Sequence, residues 1–261
     1  MKRLAFSVLA AVTLAVGTAP AIASATPLAH GRHIGQVECG QSCRSLNWSG
    51  YAVTHHHFSS VTGSWVVPAV DCSKGGRQFT SNWVGLNGWN NDNVEQTGTD
   101  GKCVQGKASY VAWWEIFPLP SRSRFHVSAG DQIAASVTYD TSTGTYTVKL
   151  VDSTLGRAIK QQYTNPAYAP NTSAEWIVER PAICTDPHCN GFKIMRLAKY
   201  GTTTFTNATA NGEPISRFTS HELTMVDYRL KNLSVPGPLS ASGDSFSTTW
   251  NAYGKISRFS S

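Results

Sequence analysis

Charge is scarce in this chain. Asp, Glu, Lys and Arg together make up 15% of its 261 residues, against about 25% in an ordinary soluble protein. Ser, Thr, Asn and Gly take their place, giving a surface that changes little when carboxylates protonate and therefore suits an acidic medium. The net charge of +6 is spread along the chain, with no block of Lys and Arg and no basic–aromatic stripe. That pattern argues against a nucleic-acid partner. After the first residues no apolar run approaches the ~20 residues that span a bilayer, and there is no repeat of fixed period and no low-complexity linker. Helical pattern is nearly absent as well; only residues 192–200 predict a short helix.

The one long apolar run opens the chain. Lys2-Arg3 precedes an apolar stretch from Leu4 to Val16, and small residues follow at Ala21-Ile22-Ala23 and Ala23-Ser24-Ala25. This is the pattern of a secretory signal over residues 1–25, cleaved after Ala23 or Ala25. The mature chain is expected to be secreted to the extracellular medium and free of the membrane. Six cysteines, an even number, then predict disulfides. Cys184 and Cys189 bracket a turn-like Thr-Asp-Pro-His, Cys39 and Cys43 close a short loop, and Cys72 is left for Cys103. A metal site on Cys39, Cys43 and His30 or His33 is the weaker reading, because the spacing fits no zinc pattern. No metal and no cofactor are expected.

What is abundant is short strands. Residues 26–46 are polar, Gly-rich and aperiodic, and read as a short leader or pro-segment. From Asn47 onward come runs rich in β-branched and aromatic residues, each ended by turn formers. Asn47-Trp48-Ser49-Gly50 opens the first, and residues 140–144 make a hairpin turn. The three histidines His55, His56 and His57 point to alternating faces and read as a solvated strand end. About a dozen such strands predict an all-β fold: an antiparallel β-sandwich of two large sheets, concanavalin-like or jelly-roll in type. Residues 47–261 form one domain on this reading, and a monomer is expected.

Three strands carry polar groups among bulky neighbours. Period-two alternation puts Val94, Gln96, Gly98 and Asp100 on one face of the first, and Val111, Trp113, Glu115 and Phe117 on one face of the second. In the third, Glu175, Ile177 and Glu179 share a face. A carboxyl or amide placed mid-strand must be bonded, solvated or used, because burying it unpaired costs several kcal/mol at the upper end. From spacing alone Glu175 reads as a solvated or hydrogen-bonded edge group, Glu95 as plain surface, Glu115 as a structural carboxylate and Gln96 as a structural amide.

At these residues the sequence resembles the glutamic peptidases (eqolisins). The resemblance rests on Trp83-Val84-Gly85-Leu86-Asn87-Gly88, Gln96-Thr97-Gly98-Thr99-Asp100, Ala112-Trp113-Trp114-Glu115-Ile116-Phe117-Pro118 and Ala174-Glu175-Trp176-Ile177-Val178-Glu179. It implies a secreted acid endopeptidase acting on proteins and peptides, with Gln96 and Glu179 as the catalytic pair. It also selects Glu179 over Glu175. Trp48, Trp83, Asp100, Glu115 and Phe117 are implied as substrate-binding or supporting residues. The chemistry is coherent. Glu179 takes a proton from water and returns it to the leaving amine, while the Gln96 amide holds the water and donates to the oxyanion. A free Glu titrates near ~4.3, so a base working in acid needs hydrogen bonds to its charged form, which Gln96 and Trp N–H groups can supply. The chain departs from better-known members at Asn87, at Arg122 and Arg124, and at Arg180-Pro181.

Two other classes fit parts of the pattern. A carbohydrate-binding β-sandwich would use Trp89 or Trp114 to stack on sugar and would not turn substrate over. A glycoside hydrolase would use Glu115 and Glu179 as its carboxyl pair and leave Gln96 dispensable.

Overall fold

The computed structural model describes residues 28–29, 39, 42–91, 93–164, 170–185 and 191–260, with side chains left out at 28–29, 184 and 259–260. The signal-peptide reading, and the Cys184–Cys189 pairing, lie outside the described residues. Regular structure among them is almost entirely strand, the one helical piece being a 3-10 turn at Ile215–Arg217.

One large antiparallel sheet runs, strand by strand, Thr219–Val226, Trp48–Thr54, Ser173–Glu179, Gln78–Leu86, Val94–Val104, Lys107–Phe117 and Arg122–His126. Ser42–Ser45 adds a parallel strand beside Thr219–Val226. The second sheet runs Thr202–Ala210, Ser60–Val66, Gln132–Asp140, Thr145–Asp152 and Arg157–Thr164. The Thr202–Ala210 strand belongs to both, pairing with Ser60–Val66 at one end and with Phe246–Trp250 at the other. Phe246–Trp250 reaches the first sheet through Asn232–Pro236. Sharing a strand removes one pair of open edges, a common remedy for the reactivity of unpaired strands.

Alternation decides what fills the space between the sheets. Tyr51, Val53, Val84, Leu86, Ile116, Trp176 and Val178 come from the first sheet and meet Val61, Trp65, Ile133, Val137, Val148 and Leu150 from the second, all buried. Each large aliphatic side chain buried this way contributes roughly 1.5–3 kcal/mol. Two buried indoles of this layer find acceptors: Trp65 Nε1 donates to Thr99 Oγ1 at 2.9 Å, and Trp176 Nε1 to the Thr62 carbonyl.

Two of the expected disulfides are present, Cys39–Cys43 and Cys72–Cys103. The second closes 31 residues around the Gln78–Leu86 strand; a loop of that length stabilises by about 3.5 kcal/mol on chain-entropy grounds. The helix expected over residues 192–200 does not form. Gly191–Ile194 pairs with Ala182–Cys184 and Ser257–Ser260, and Arg196–Leu197 pairs with Gln78–Phe79. Tertiary pairing overrides a weak local preference there. Thr54 ends its strand and His55, His56 and His57 follow as exposed residues, as the sequence suggested.

Candidate active site

The first sheet has a core face and an opposite face, here called the site face. Paired residues share a face, so the register can be read across the sheet in rows. One row is Trp48, Glu179, Ser81, Asp100 and Val111; the next is Gly50, Ile177, Trp83, Gly98 and Trp113; the third is Ala52, Glu175, Gly85, Gln96 and Glu115. All of the site residues expected from the sequence therefore fall on one face, with Phe117 in the row beyond, opposite Val94. Trp48, Trp83, Trp113, Ile177 and Leu223 form its apolar floor, against which Phe117 packs.

Glu179 is 1% exposed. Its Oε2 accepts from Trp83 Nε1 at 2.8 Å and its Oε1 from Asn47 Nδ2 at 3.2 Å. Trp48 meets Trp83 edge-on, with ring centroids 5.0 Å apart, and so fixes the plane of the donor. Gly98 allows this packing: a Cβ there would lie 2.6 Å from Trp83 Cβ and 2.2 Å from the Asn82 carbonyl oxygen. The Trp donor matches expectation. The Gln96 donor does not, because Gln96 Nε2 donates to Glu115 Oε2 at 2.7 Å.

Gln96 is fully buried, and its Oε1 has no partner among the described residues. A primary amide has two N–H donors, so the bond to Glu115 fixes the amide plane and leaves the second N–H for another acceptor. Asp100 stands in the same row as Glu179, across Ser81, and pairs with Lys102 Nζ at 3.4 Å.

Asn47 is the contributor that sequence reasoning passed over, although it begins the first matching motif. It reaches Glu179 across 132 positions of chain, a long-range contact that composition and alternation do not encode. Arg180, a departure from the family pattern, explains how Asn47 is held. Its guanidinium is buried and donates to the Leu46 carbonyl at 2.9 Å and to the Lys255 carbonyl at 3.2 Å, while its backbone N–H donates to the Asn47 carbonyl. Burial pulls the Arg180 guanidinium down to about 10, with Asp227 opposing. It thus fastens the turn that carries Asn47 onto the end of the Ser173–Glu179 strand.

Two sequence readings are corrected. Glu95 is not surface: it is 2% exposed and sits on the core face, because the residue before Gln96 must point the other way. Burial pushes its carboxyl up to about 7, offset in part by hydrogen bonding to Asn87. Asn87 Nδ2 donates to Glu95 Oε2 at 2.8 Å and to Asn171 Oδ1 at 3.0 Å. An Asp at position 87 would confront Glu95 with a second carboxyl group, so the departure at Asn87 fits its surroundings. Glu175 is not an edge group either. Its strand lies between Trp48–Thr54 and Gln78–Leu86, and the residue is fully buried.

Comparison with known proteins puts this chain among the glutamic-type endopeptidases. Aspergillopepsin-2 of Aspergillus niger is 30% identical over 235 residues, covering 79% of this chain and 78% of that protein. The solved scytalido-glutamic peptidase, bound to a peptide-based transition-state analogue, is 25% identical with a TM-score of 0.66 over 78% of this chain and 98% of that one. Aspergilloglutamic peptidase from Aspergillus niger is 26% identical with a TM-score of 0.55, over 67% of this chain and 99% of that one. The chain belongs to the Peptidase A4 family, whose model matches residues 46–250.

Proposed function

We propose that this glutamic-type endopeptidase is an exported acid peptidase that hydrolyses protein and peptide substrates with Glu179 as general base and acid and Gln96 as the water- and oxyanion-binding amide. The observation that carries the reading is the pair of fixed orientations on one face: Glu179 held by Trp83 and Asn47, and Gln96 held by Glu115. Export is supported by the N-terminal pattern and by two disulfides, bonds that persist in oxidising compartments. Among the described residues no helix is long and apolar enough to cross a membrane.

The steps balance without further groups. The Glu179 carboxylate removes a proton from a water whose oxygen bonds to the scissile carbonyl carbon. The carbonyl electrons move onto oxygen, and the second Gln96 N–H donates to that oxyanion. Glu179, now protonated, passes its proton to the amide nitrogen as the C–N bond breaks. An amine and a carboxylic acid leave, and the Glu179 carboxylate is restored. Because an amide cannot ionise, the pair avoids the mutual repulsion of two carboxylates.

Residues 26–46 are read as a leader attached to the peptidase domain. Its described parts bear on that domain: Leu28–Ala29 pairs with Ala182–Ile183, and Cys43, bridged to Cys39, packs with Trp48 and Trp83. The test is cleavage of a denatured protein substrate from strongly acid to neutral pH by the exported form, before and after acid incubation, with Glu179→Gln and Gln96→Ala alongside. Activity confined to acid and lost in both folded variants supports the reading. A folded wild-type chain that never cuts overturns it.

A further inference from the structure

The site face continues past Glu179. On the Gln78–Leu86 strand Phe79 comes two residues before Ser81, in a row with Lys102, and Arg77 precedes the strand. Alternation puts Phe79 and Arg77 on the face of Trp83 and Gly85. The Arg77 guanidinium lies over the Phe79 ring, 5.5 Å from its centroid. A strand advances about 3.3 Å per residue, so the Phe79 row stands ~7 Å beyond the Glu179 row, about two residues of extended peptide.

At this end the large sheet meets a smaller one. Ile183, Lys193 and Arg258 are paired across three of its strands and share a face. Phe79 and Met195 are buried together, and Ile183 packs on them. Beside this cluster is a cavity of about 550 Å³, lined by Arg77, Lys193 and Arg196 and by Ile183, Met195 and Ile256. Arg196 pairs with Gln78 and turns its guanidinium toward Gly76, where an added Cβ would meet only Arg196 Nη1, at 3.9 Å. The cavity has room for a side chain together with the backbone that carries it.

Its charge is of one sign. Among the described residues the ion pairs are Lys102–Asp100, Lys199–Asp71 and Arg217–Glu213, so Arg77, Lys193 and Arg196 have no carboxylate partner there. The acids of the neighbouring row are already held, Asp100 by Lys102 and Glu179 by Trp83 and Asn47. Asp71, ahead of the strand, is taken by Lys199 at 2.9 Å. Cations lining one cleft focus an attractive field for the opposite sign. A guanidinium on an aromatic face presents a planar fork that matches the two oxygens of a carboxylate. The apolar floor of Ile183 and Met195 suits a ligand with a short hydrocarbon stem.

We propose that Arg77, Lys193 and Arg196 form a specificity-determining subsite of this peptidase. It takes the carboxylate side chain of a substrate Asp or Glu about two to four residues from the scissile bond, on the side of Glu179 remote from Gln96. This rests on the proposed peptidase reading and adds its substrate preference. An endopeptidase cuts within a chain, so the carboxylate is a side chain and not a chain end. No bond is made or broken at the subsite.

Asp and Glu titrate near ~3.9 and ~4.3, so in strong acid they are partly neutral, whereas a sulfonate stays ionised. The experiment therefore uses the exported active chain and N-acetylated, C-amidated peptides with cysteic acid, Glu, Gln or Lys at one position at a time around the scissile bond. At one position wild type should show kcat/KM for the cysteic-acid peptide at least about five-fold above that for the Gln peptide, through KM, with an advantage that shrinks as salt rises. In an Arg77→Gln/Arg196→Gln double variant the ratio should fall to about one, and Arg77→Glu/Arg196→Glu should favour the Lys peptide. Lys160→Gln removes an exposed charge from the outermost strand of the second sheet and should keep the wild-type ratio. Each ratio is taken within one enzyme, so a general loss of activity does not imitate the effect. Equal cleavage of the cysteic-acid and Gln peptides by wild type at every position overturns the inference, as does an unchanged ratio in the double variant. Binding of the same peptides to folded Glu179→Gln, read by fluorescence anisotropy, checks the subsite without turnover; equal affinity for the two overturns it as well. Cleavage without the anionic preference sinks only this inference, whereas a folded wild type that cuts no peptide sinks the peptidase reading.

Discussion

The two faces of the large sheet carry the same residue types to different ends. Gln96 and Glu95 are adjacent in sequence and both buried, yet they point into different surroundings. On the site face, Glu179 and Gln96 are oriented by Trp83, Asn47 and Glu115. On the core face, Glu95 is desolvated among apolar side chains with Asn87 as its donor. A buried carboxyl is thus not by itself a sign of catalysis. What separates the two cases is whether donors fix the group beside a second oriented polar group, or only make its burial tolerable.

The comparison breaks most visibly if the site face is disarmed. Glu179→Gln should lower kcat by at least about a thousand-fold with an unchanged circular dichroism spectrum, the scale of removing a group that acts on the reacting atoms. Glu95→Gln should leave kcat within about two-fold, although it changes the neighbouring residue.

The core face should show itself in stability. The folded-state value of Glu95, about 7, is raised above its unfolded value, so the folded chain binds that proton more tightly. The resulting stability is fully present below about pH 4.3 and is lost as pH rises through 7. Chemical denaturation should find Glu95→Gln more stable than wild type at pH 7.5, by up to about 3 kcal/mol from the shift. At pH 3.5 the two should be nearly equal. A pH-independent difference would contradict the assignment.

A smaller effect sharpens the site. Trp83→Phe keeps an aromatic ring edge-on to Trp48 but removes the N–H that holds Glu179, and kcat/KM should fall about ten- to a hundred-fold in steady-state assays, as for a lost charge-assisted hydrogen bond of about 1.5–3 kcal/mol. Asn47→Ala should do less, its bond being the longer one. Least of all, Lys102→Ala removes a partly exposed partner of Asp100 and should change the melting free energy by less than about 1 kcal/mol.

Much of this was legible in the sequence, for a physical reason. A strand has a period of two, so Gln96 with Asp100, Glu115 with Trp113, and Glu175 with Glu179 could be placed on common faces before any strand was paired. The four motifs then supplied what alternation cannot, namely the expectation that these strands lie together, as they do in the sheet. Alternation also implied that Glu95 must oppose Gln96, but not that the opposite face was core; that depends on the second sheet. The Asn47 contact, the clamp of Arg180 on Leu46 and Lys255, and the central place of the Glu175 strand arise from pairings across more than seventy residues. Residues 192–200 misled for the same reason, their pairing being tertiary.

The most direct test of the division between the faces is the structure of this chain with a peptide-based transition-state analogue. The account predicts the analogue on the site face, with one tetrahedral oxygen within about 3 Å of Gln96 Nε2 and the other within about 3 Å of a Glu179 carboxyl oxygen. An analogue bound with its tetrahedral centre away from either residue, or contacting Glu115 in place of Gln96, would contradict it.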